Sequence, residues 1–257
     1  MNIVLIGSGN VATHLGNAFA ALGYNITQIF SRTLANANRL AEVLSTQATN
    51  NLDQLDKTAD LYLLAVSDQA LAQLVQSLPK DLPGIILHCS GGTSMEILAD
   101  FDQYGVIYPV QSFSKDVAVD LSATPFGIEA NNKQVYTILT SIISKITTTV
   151  FPCASSQRLA IHTAAVFANN FSNAMFQVAE ELLTEHQLPF DLLRPIIKES
   201  ADKVQSRSPK LVQTGPAIRN DKITMDSHLK FISSHPDWQT IYQKISELIA
   251  KTSGNNS

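Results

Sequence analysis

The stretch Gly7-Ser8-Gly9-Asn10-Val11-Ala12 decides the fold, because it matches the pattern G-x-G-x-x-A of a dinucleotide-binding turn. A short apolar run, Ile3–Ile6, precedes it, and an amphipathic helical stripe follows it. In such a strand–turn–helix unit the first glycine permits a tight turn and the second lets the backbone approach a pyrophosphate. We therefore predict that backbone N–H groups near Asn10 and Val11 face a dinucleotide at the start of the first helix.

The remainder of the first half continues this alternation of short apolar strands and helices. Further strands are predicted over Ile26–Phe30, Leu61–Val66, Ile85–Cys89, Val106–Tyr108, Phe126–Glu129 and Thr147–Phe151. After Pro152 the pattern becomes entirely helical. The predicted fold is therefore α/β: a Rossmann-type, doubly wound, mainly parallel sheet over residues 1–153, followed by an all-helical domain over residues 154–257.

Composition excludes several classes of partner. The net charge is −4 and 16% of residues are charged, so we expect neither nucleic acid nor an anionic membrane as a partner. The two cysteines, Cys89 and Cys153, form no C-x-x-C pair and have no metal-ligand spacing, which predicts no metal site and favours a reducing compartment. No apolar run reaches the roughly 20 residues needed to span a membrane. These features predict a cytoplasmic protein.

The end of the second strand indicates which dinucleotide is bound. Ser31-Arg32-Thr33 stands where NAD-binding sites usually carry an acidic residue. A guanidinium pairs with a 2′-phosphate and stacks on adenine, and Ser31 and Thr33 add hydroxyl donors, so we predict NADP(H). The alternative is that Arg32 is solvated and Thr33 caps the next helix. Val66 and Ser67 should lie near the nicotinamide, or Ser67-Asp68 merely starts a helix.

Two loops after later strands are candidates for the reaction site. Ser90 follows the predicted strand Ile85–Cys89, beside Gly91 and Gly92, whose backbone permits a close approach to a ligand. We place Ser90 in the catalytic group and Gly91 at the substrate, with a plain turn as the alternative. Gln111, in the mixed polar and aromatic segment 108–114, is a candidate substrate ligand, although that segment also suits an ordinary strand exit.

The long predicted helix after Ser155 carries the proposed acid–base group. At about 100° per residue, His162, Asn169 and Asn173 lie within about 20° of one line. This line either borders a cleft or is simply solvated, while Asn170 lies between it and the apolar face. Histidine suits proton transfer near neutral pH, so His162 is the candidate general acid and Asn169 and Asn173 are its neighbours.

A punctuated loop near the C-terminus, Gln213–Asp221, supplies the last candidate. Its Arg219 suits a substrate carboxylate. Alternatively, Arg219 and Asp221 form a surface pair with Asp221 capping the next helix.

Six segments together resemble a known family. They are G-S-G-N-V-A (7–12), S-R-T (31–33), H-C-S-G-G (88–92), Y-P-V-Q-S-F-S (108–114), H-T-A-A-V-F-A-N-N-F-S-N (162–173) and Q-T-G-P-A-I-R-N-D (213–221). The chain is similar to the NADP oxidoreductases with a Rossmann-like domain and an uncharacterised helical C-terminal domain, relatives of pyrroline-5-carboxylate reductase and the β-hydroxyacid dehydrogenases. The resemblance implies NADP at the first glycine turn, a homodimer formed through the helical domain, and a small-molecule substrate.

One departure from these relatives affects the chemistry. β-Hydroxyacid dehydrogenases carry a lysine on the corresponding helix, four residues before an asparagine, whereas Val166 or Asn169 stands in the comparable place here. His162 is the substitute we predict. The leading function is hydride transfer between NADP(H) and a small carbonyl or imine, or the corresponding hydroxy or amino compound. The alternative is a non-catalytic NADP(H) sensor or regulatory protein.

Overall fold

The structure, a computed structural model, describes residues 1–114, 117 and 119–253. One eight-stranded sheet runs in the order β3-β2-β1-β4-β5-β6-β7-β8. The strands are β1 (Asn2–Ile6), β2 (Asn25–Phe30), β3 (Gln47–Thr49), β4 (Leu61–Leu64), β5 (Ile85–His88), β6 (Tyr104–Pro109), β7 (Phe126–Ala130) and β8 (Val150–Pro152).

The sheet is mainly parallel, as predicted, because each crossover before β6 returns the chain to the same edge. The exception is the pair β6–β7, which is antiparallel, with Tyr108 opposite Gly127. The carboxyl ends of β1, β2, β4 and β5 therefore lie at one edge of the sheet. Ligands of open α/β sheets bind at this edge, where the chain also places its glycine turn.

Strand β1 shows why the first residues form a central strand. Ile3 and Leu5 pack into one hydrophobic cluster and Val4 and Ile6 into another, and all four are fully buried. Alternate residues of a strand point to opposite faces, so both faces of the sheet are covered. Each such side chain contributes about 1.5–3 kcal/mol of transfer free energy on burial.

Helices cover the sheet and build the rest of the chain. They are α1 (Asn10–Ala21), α2 (Leu34–Val43), α3 (Asp68–Ser77), α4 (Lys133–Ile143), α5 (Ser155–Ala165), α6 (Ser172–Glu185), α7 (Arg194–Ser206), α8 (Pro209–Val212), α9 (Lys222–Phe231) and α10 (Pro236–Ser253). None of the helices in the described part of the chain is both long and apolar enough to cross a membrane.

The chain forms two compact units, Met1–Ala168 and Asn169–Ser257. Helix α5 thus lies in the first unit, although the change to all-helical sequence begins near residue 153. The reason is packing: Arg158 of α5 is buried and its guanidinium bonds the backbone of the loop that follows β5. The domain division at residue 153 stays a prediction based on secondary structure.

The long helix is not regular, which corrects one premise of the sequence analysis. A π-helical segment, Val166–Phe171, joins α5 to α6. A π-turn bonds residue i to i+5 and so holds more residues than an α-turn. The spacing of about 100° per residue therefore does not hold across this segment, and the alignment of His162, Asn169 and Asn173 stays a prediction that a regular helix no longer supports.

Candidate cofactor and active site

The glycine turn after β1 has the backbone that its first glycine requires. Gly7 adopts φ +129°, a region that side chains rarely enter, and its N–H donates to the Phe30 carbonyl at 2.8 Å. A Cβ at this position would lie 2.2 Å from the carbonyl oxygen of Ala65. Gly7 is therefore needed by the protein itself, to pass between β2 and the end of β4.

Gly9 differs from Gly7 because nothing in the protein requires it to be glycine. A Cβ on Gly9 would meet no atom within 4 Å. Gly9 is also the N-cap of α1, and no side chain caps this helix. Open space beside uncapped N–H groups is the arrangement that a bound pyrophosphate would fill, so the residues present fit a dinucleotide. Ala12 is fully buried against the sheet, as a close helix–strand contact requires.

A crevice of about 440 Å³ opens beside this turn. Most of the predicted cofactor residues line it, namely Gly7, Ser8, Gly9, Ser31, Arg32, Val66 and Ser67. The hydroxyl of Ser8 donates to that of Ser31 at 3.1 Å, which joins the glycine turn to the end of β2. Among the described residues that line the crevice there is no Asp or Glu, so Arg32 has no competing carboxylate there. This composition favours an anionic ligand.

The predicted residues outside the crevice lining are Asn10, Val11 and Thr33. Asn10 and Val11 form the first turn of α1. Thr33 occupies the N-cap position of α2 but makes no side-chain cap hydrogen bond. Likewise Ser67 occupies the N-cap position of α3 without a cap bond, and Asp68 is the first helical residue. Capping therefore does not account for the hydroxyls of Thr33 and Ser67.

The structure adds crevice residues that the sequence analysis missed. Leu52, Ala70, Gln73, Leu74 and Ser77 line the same space. The last four recur at i, i+3, i+4 and i+7 along α3, so a second helical face was readable from the sequence. It was obscured because Leu71 and Val75, which are buried, mark the stronger apolar face.

The segment after β6 is hydrogen-bonded to helix α1. The Asn10 side chain donates to the Phe113 carbonyl at 2.6 Å, and the His14 ring bonds the Ser114 carbonyl at 2.9 Å. The His14 and Phe113 rings also lie 5.0 Å apart. Gln111, a predicted substrate ligand, is exposed, and its side chain accepts from the N–H of Ser112 at 2.9 Å.

Ser90 organises the loop that follows β5. Its hydroxyl oxygen accepts from the N–H of Thr93 at 2.8 Å and from that of Gly92 at 3.2 Å. Its own N–H donates to Nδ1 of His88 at 3.1 Å. This geometry favours the turn-forming role left open by the sequence, while a catalytic role for Ser90 stays a prediction.

The loop brings Gly91 against His162 of α5, and this contact defines the candidate reaction site. A Cβ on Gly91 would lie 2.7 Å from Cγ and 2.8 Å from Nδ1 of His162. The Tyr108 hydroxyl lies 3.5 Å from the same Nδ1, and the two rings meet edge to face at 6.4 Å. The backbone of Gly91 thus packs directly against the imidazole of His162. Tyr108, for which no role was predicted, is the hydrogen-bond partner of that imidazole.

Burial keeps three titratable groups near this contact neutral: His88, Cys89 and Tyr108. Burial, followed by the positive charge of Arg158, lowers the pKa of His88 to about 4. Burial raises the pKa of the Cys89 thiol to about 12 and also raises the pKa of the Tyr108 phenol. At neutral pH, therefore, Tyr108 and the Cys89 thiol both keep their protons, and Cys89, partly buried against the core, is not poised as a nucleophile.

A buried ion pair lies behind the loop. The Arg158 guanidinium pairs with Glu129 of β7 and bonds the carbonyls of Ser90 at 2.9 Å and Thr93 at 2.5 Å. Neither residue had a predicted role. The available signal was the spacing of four residues between Arg158 and His162, which places both on one side of a helix.

The remaining candidates lie in the second unit. Asn169, Asn170, Asn173 and Arg219 are all exposed there. Asp221 is the N-cap of α9, accepting from the N–H of Thr224 at 3.1 Å, as the alternative interpretation of that loop predicted. The roles of the three asparagines and of Arg219 stay predictions. In the described part of the chain, no cluster of three His, Cys, Asp or Glu side chains forms a potential metal site.

Comparisons with known proteins match both halves of the chain. Residues 1–111 match the model of a Rossmann-like domain, and residues 124–249 match a domain of unknown function, DUF2520. Among curated proteins, none matches the sequence significantly.

Solved structures resemble the whole chain. A crystal structure described as a "putative NADP oxidoreductase" from Bacteroides fragilis has 37% identity and a TM-score of 0.89, covering 97% of this chain and 98% of the other. A Thermotoga maritima protein has 24% identity, a TM-score of 0.72 and 98% coverage of both chains. A pyrroline-5-carboxylate reductase from Streptococcus pyogenes shares the fold at 14% identity, a TM-score of 0.65 and 98% coverage of both chains. The chain, in which a Rossmann-like domain precedes a DUF2520 domain, therefore belongs to the oxidoreductase family of the Bacteroides fragilis protein.

Proposed function

We propose that this protein is an NADP(H)-dependent oxidoreductase that transfers a hydride between the cofactor and a small carbonyl or imine, or the corresponding hydroxy or amino compound. The observation that carries the proposal is the open space beside Gly9, in a crevice that Arg32 borders and whose described lining residues include no Asp or Glu. The family relationship supports the same activity, since the Bacteroides fragilis relative is described as a "putative NADP oxidoreductase".

The cofactor would be held by two groups of residues at the sheet edge. The uncapped first turn of α1 would bind the pyrophosphate, with Gly9 allowing the approach. Arg32 would pair with the 2′-phosphate, and the linked hydroxyls of Ser8 and Ser31 would contact the same part of the nucleotide. When bound, the reduced nicotinamide supplies a hydride to the substrate carbon.

The protein supplies the proton that completes the reduction. His162 would donate it to the substrate oxygen or nitrogen and recover it from solvent. A phenol both donates and accepts hydrogen bonds, so Tyr108 can bond Nδ1 of His162 whether the imidazole is neutral or charged. This arrangement leaves Nε2 as the atom available to the substrate.

A reduction assay with a matched variant tests this activity. The wild-type protein is incubated with NADPH and a panel of small ketones, aldehydes and cyclic imines, and NADPH consumption is followed. We expect turnover of at least one class, and we expect His162→Ala to abolish it while NADPH still binds. Tight NADPH binding without turnover across the panel would instead support the non-catalytic sensor, the alternative that the absent helix lysine leaves open.

We also propose that two copies associate through the helical unit. None of the residues of helices α6, α7 and α9 is buried, and these helices carry large apolar side chains. Among these, Ile196 is 59% exposed and Ile223 is 86% exposed. An open apolar cavity of about 510 Å³ lies among α6, α9 and α10. Large exposed apolar surface is uncommon in monomers, and a second copy would cover it.

Sedimentation of the purified protein tests the dimer directly. We expect a dimer that Ile223→Glu weakens, whereas Val43→Glu, at an exposed apolar position of α2 in the first unit, has no effect. A monomeric wild type would contradict the proposed dimer.

A cytoplasmic location and the absence of a nucleic-acid partner stay predictions from composition.

A further inference from the structure

We infer that Arg158, with its partner Glu129, is a positioning residue that sets the contact between the loop after β5 and His162. The inference rests on the proposed role of His162 as proton donor. Arg158 itself is placed behind the loop and acts through it.

The guanidinium of Arg158 is buried and donates several hydrogen bonds. Its side chain is 1% exposed. Nε donates to the carbonyl of Ser90 at 2.9 Å, while Nη2 donates to the carbonyl of Thr93 at 2.5 Å and to Oγ of Ser155 at 3.2 Å. The two carbonyls flank Gly91 and Gly92, so the guanidinium holds both ends of the glycine segment.

Glu129 fixes the guanidinium from the other side. Its carboxylate accepts from Nη1 of Arg158, and it also accepts from the N–H and the hydroxyl of Ser155 at 2.9 and 2.8 Å. Ser155 in turn accepts from the N–H of Met95 at 3.1 Å. Strand β7, the start of α5 and the loop are therefore joined in one network, and the buried positive charge is paired.

The same helix carries the anchor and the proposed proton donor. Arg158 and His162 are four residues apart in α5, which places them on one side of the helix. Arg158 donates hydrogen bonds to the carbonyls of Ser90 and Thr93. His162 packs against Gly91, which lies between these two loop residues. The position of the loop relative to α5 therefore determines how closely the imidazole is held.

A lysine cannot replace this arginine. The planar guanidinium presents several donors in a fixed fork, whereas an ammonium is a single point charge on a flexible stem. Arg158→Lys would keep the charge opposite Glu129 but could not hold both carbonyls in the same geometry. The loop would shift against His162 while the charge pair survived.

The test compares Arg158→Lys with Arg194→Lys, which makes the same change at a surface pair with Asp191. The full chain is used, and kcat is normalised to the fraction of molecules that bind NADPH. We expect Arg158→Lys to lower kcat by about 100-fold, the loss typical of a misplacement of ~1 Å, with the NADPH Kd changed by less than about threefold. Arg194→Lys should leave both quantities unchanged.

A second readout does not depend on turnover. Proton–nitrogen NMR of the imidazoles, with the His162 signals assigned from His162→Gln, reports the ring's environment in the cofactor-free protein. We expect these signals to move in Arg158→Lys and to stay in place in Arg194→Lys. If Arg158→Lys does not fold, Glu129→Gln is used instead. It removes the charge and replaces one accepting carboxylate oxygen with an amide donor, so the network around Arg158 is disturbed and the same signals should move while kcat falls.

The outcomes separate this inference from the proposed function. A wild type without reductase activity, in which Arg158→Lys still moves the His162 signals, would remove the proposed function and keep the positioning. Unchanged His162 signals together with unchanged normalised kcat would overturn the positioning. So would a kcat loss that disappears on normalisation, because Arg158 would then merely hold the fold together.

Discussion

The backbone of Gly91 lies directly against the imidazole of His162, so closely that a Cβ on residue 91 would lie 2.7 Å from the ring's Cγ. This contact joins two segments that are far apart in sequence, the loop after β5 and helix α5. It gives the glycine a role that no other residue can fill, because any side chain would displace the ring.

The first prediction therefore concerns Gly91. Gly91→Ala should push the imidazole aside and lower kcat by about 10- to 100-fold, while the NADPH Kd stays close to that of the wild type. Steady-state kinetics and calorimetry measure the two quantities. Gly92→Ala is the matched control, since its Cβ would meet a flexible carboxylate oxygen of Asp68 at 3.3 Å, and its effect should be smaller. Equal kcat for Gly91→Ala and wild type would contradict the contact's importance.

The two glycines of the first turn should behave differently. Gly9→Ala adds a methyl group in open space, so the free energy of unfolding should stay within about 1 kcal/mol of the wild type while NADPH binding is lost. Gly7→Ala meets the Ala65 carbonyl at 2.2 Å with φ at +129°, so it should destabilise the fold by about 3 kcal/mol or more. Urea denaturation and calorimetric titration check both. A Gly9→Ala protein that binds NADPH normally would show that the pyrophosphate lies elsewhere.

Tyr108 should support His162 without being essential. Tyr108→Phe removes the hydroxyl 3.5 Å from Nδ1 and keeps the ring, so we expect kcat to fall by about tenfold, or ~1.4 kcal/mol in the barrier. Tyr136→Phe on α4 makes the same change elsewhere and should have no effect. If the two variants have identical kcat values, the Tyr108 hydroxyl does not act on His162.

The buried His88 predicts a pH dependence of stability. Its pKa is about 4 in the folded protein, below the ordinary value of 6.5, so the unfolded chain binds the proton more readily. Stability is therefore fully present above about pH 6.5 and declines as the pH falls towards 4, by up to about 3 kcal/mol. His88→Asn keeps an acceptor for the N–H of Ser90 and should flatten this part of the profile in urea denaturation. A wild type as stable at pH 4.5 as at pH 7 would contradict it.

The sequence was most informative where a pattern is local. Strands such as Ile3–Ile6 and Leu61–Leu64 are continuous apolar runs because both faces of the sheet are covered. The bounds of these two strands were therefore predicted to within one or two residues. The three-residue strand β3, Gln47–Thr49, has no such run and was missed. The glycine turn was recognisable because each small residue of the motif is required for a separate steric reason.

The candidate reaction site was less predictable because it depends on long-range contacts. The π-segment Val166–Phe171 changes the helical spacing, and no residue type in the sequence indicates it, so the angles used to align His162 with Asn169 and Asn173 assumed a regular helix that the chain does not form. Nothing in the sequence showed that Gly91 would meet His162 or that Glu129 would pair with Arg158. An arginine in a helix is usually solvated, and only the fold reveals that this one is buried.

Calorimetric titration with NADPH and NADH, on the wild type and on Arg32→Ala, tests the central claim most directly. The account predicts that the wild type prefers NADPH and that Arg32→Ala weakens NADPH binding by about 10- to 100-fold, the value of a charge-assisted hydrogen bond, while NADH binding hardly changes. Equal affinity for the two nucleotides in the wild type, or a preference for NADH, would contradict it.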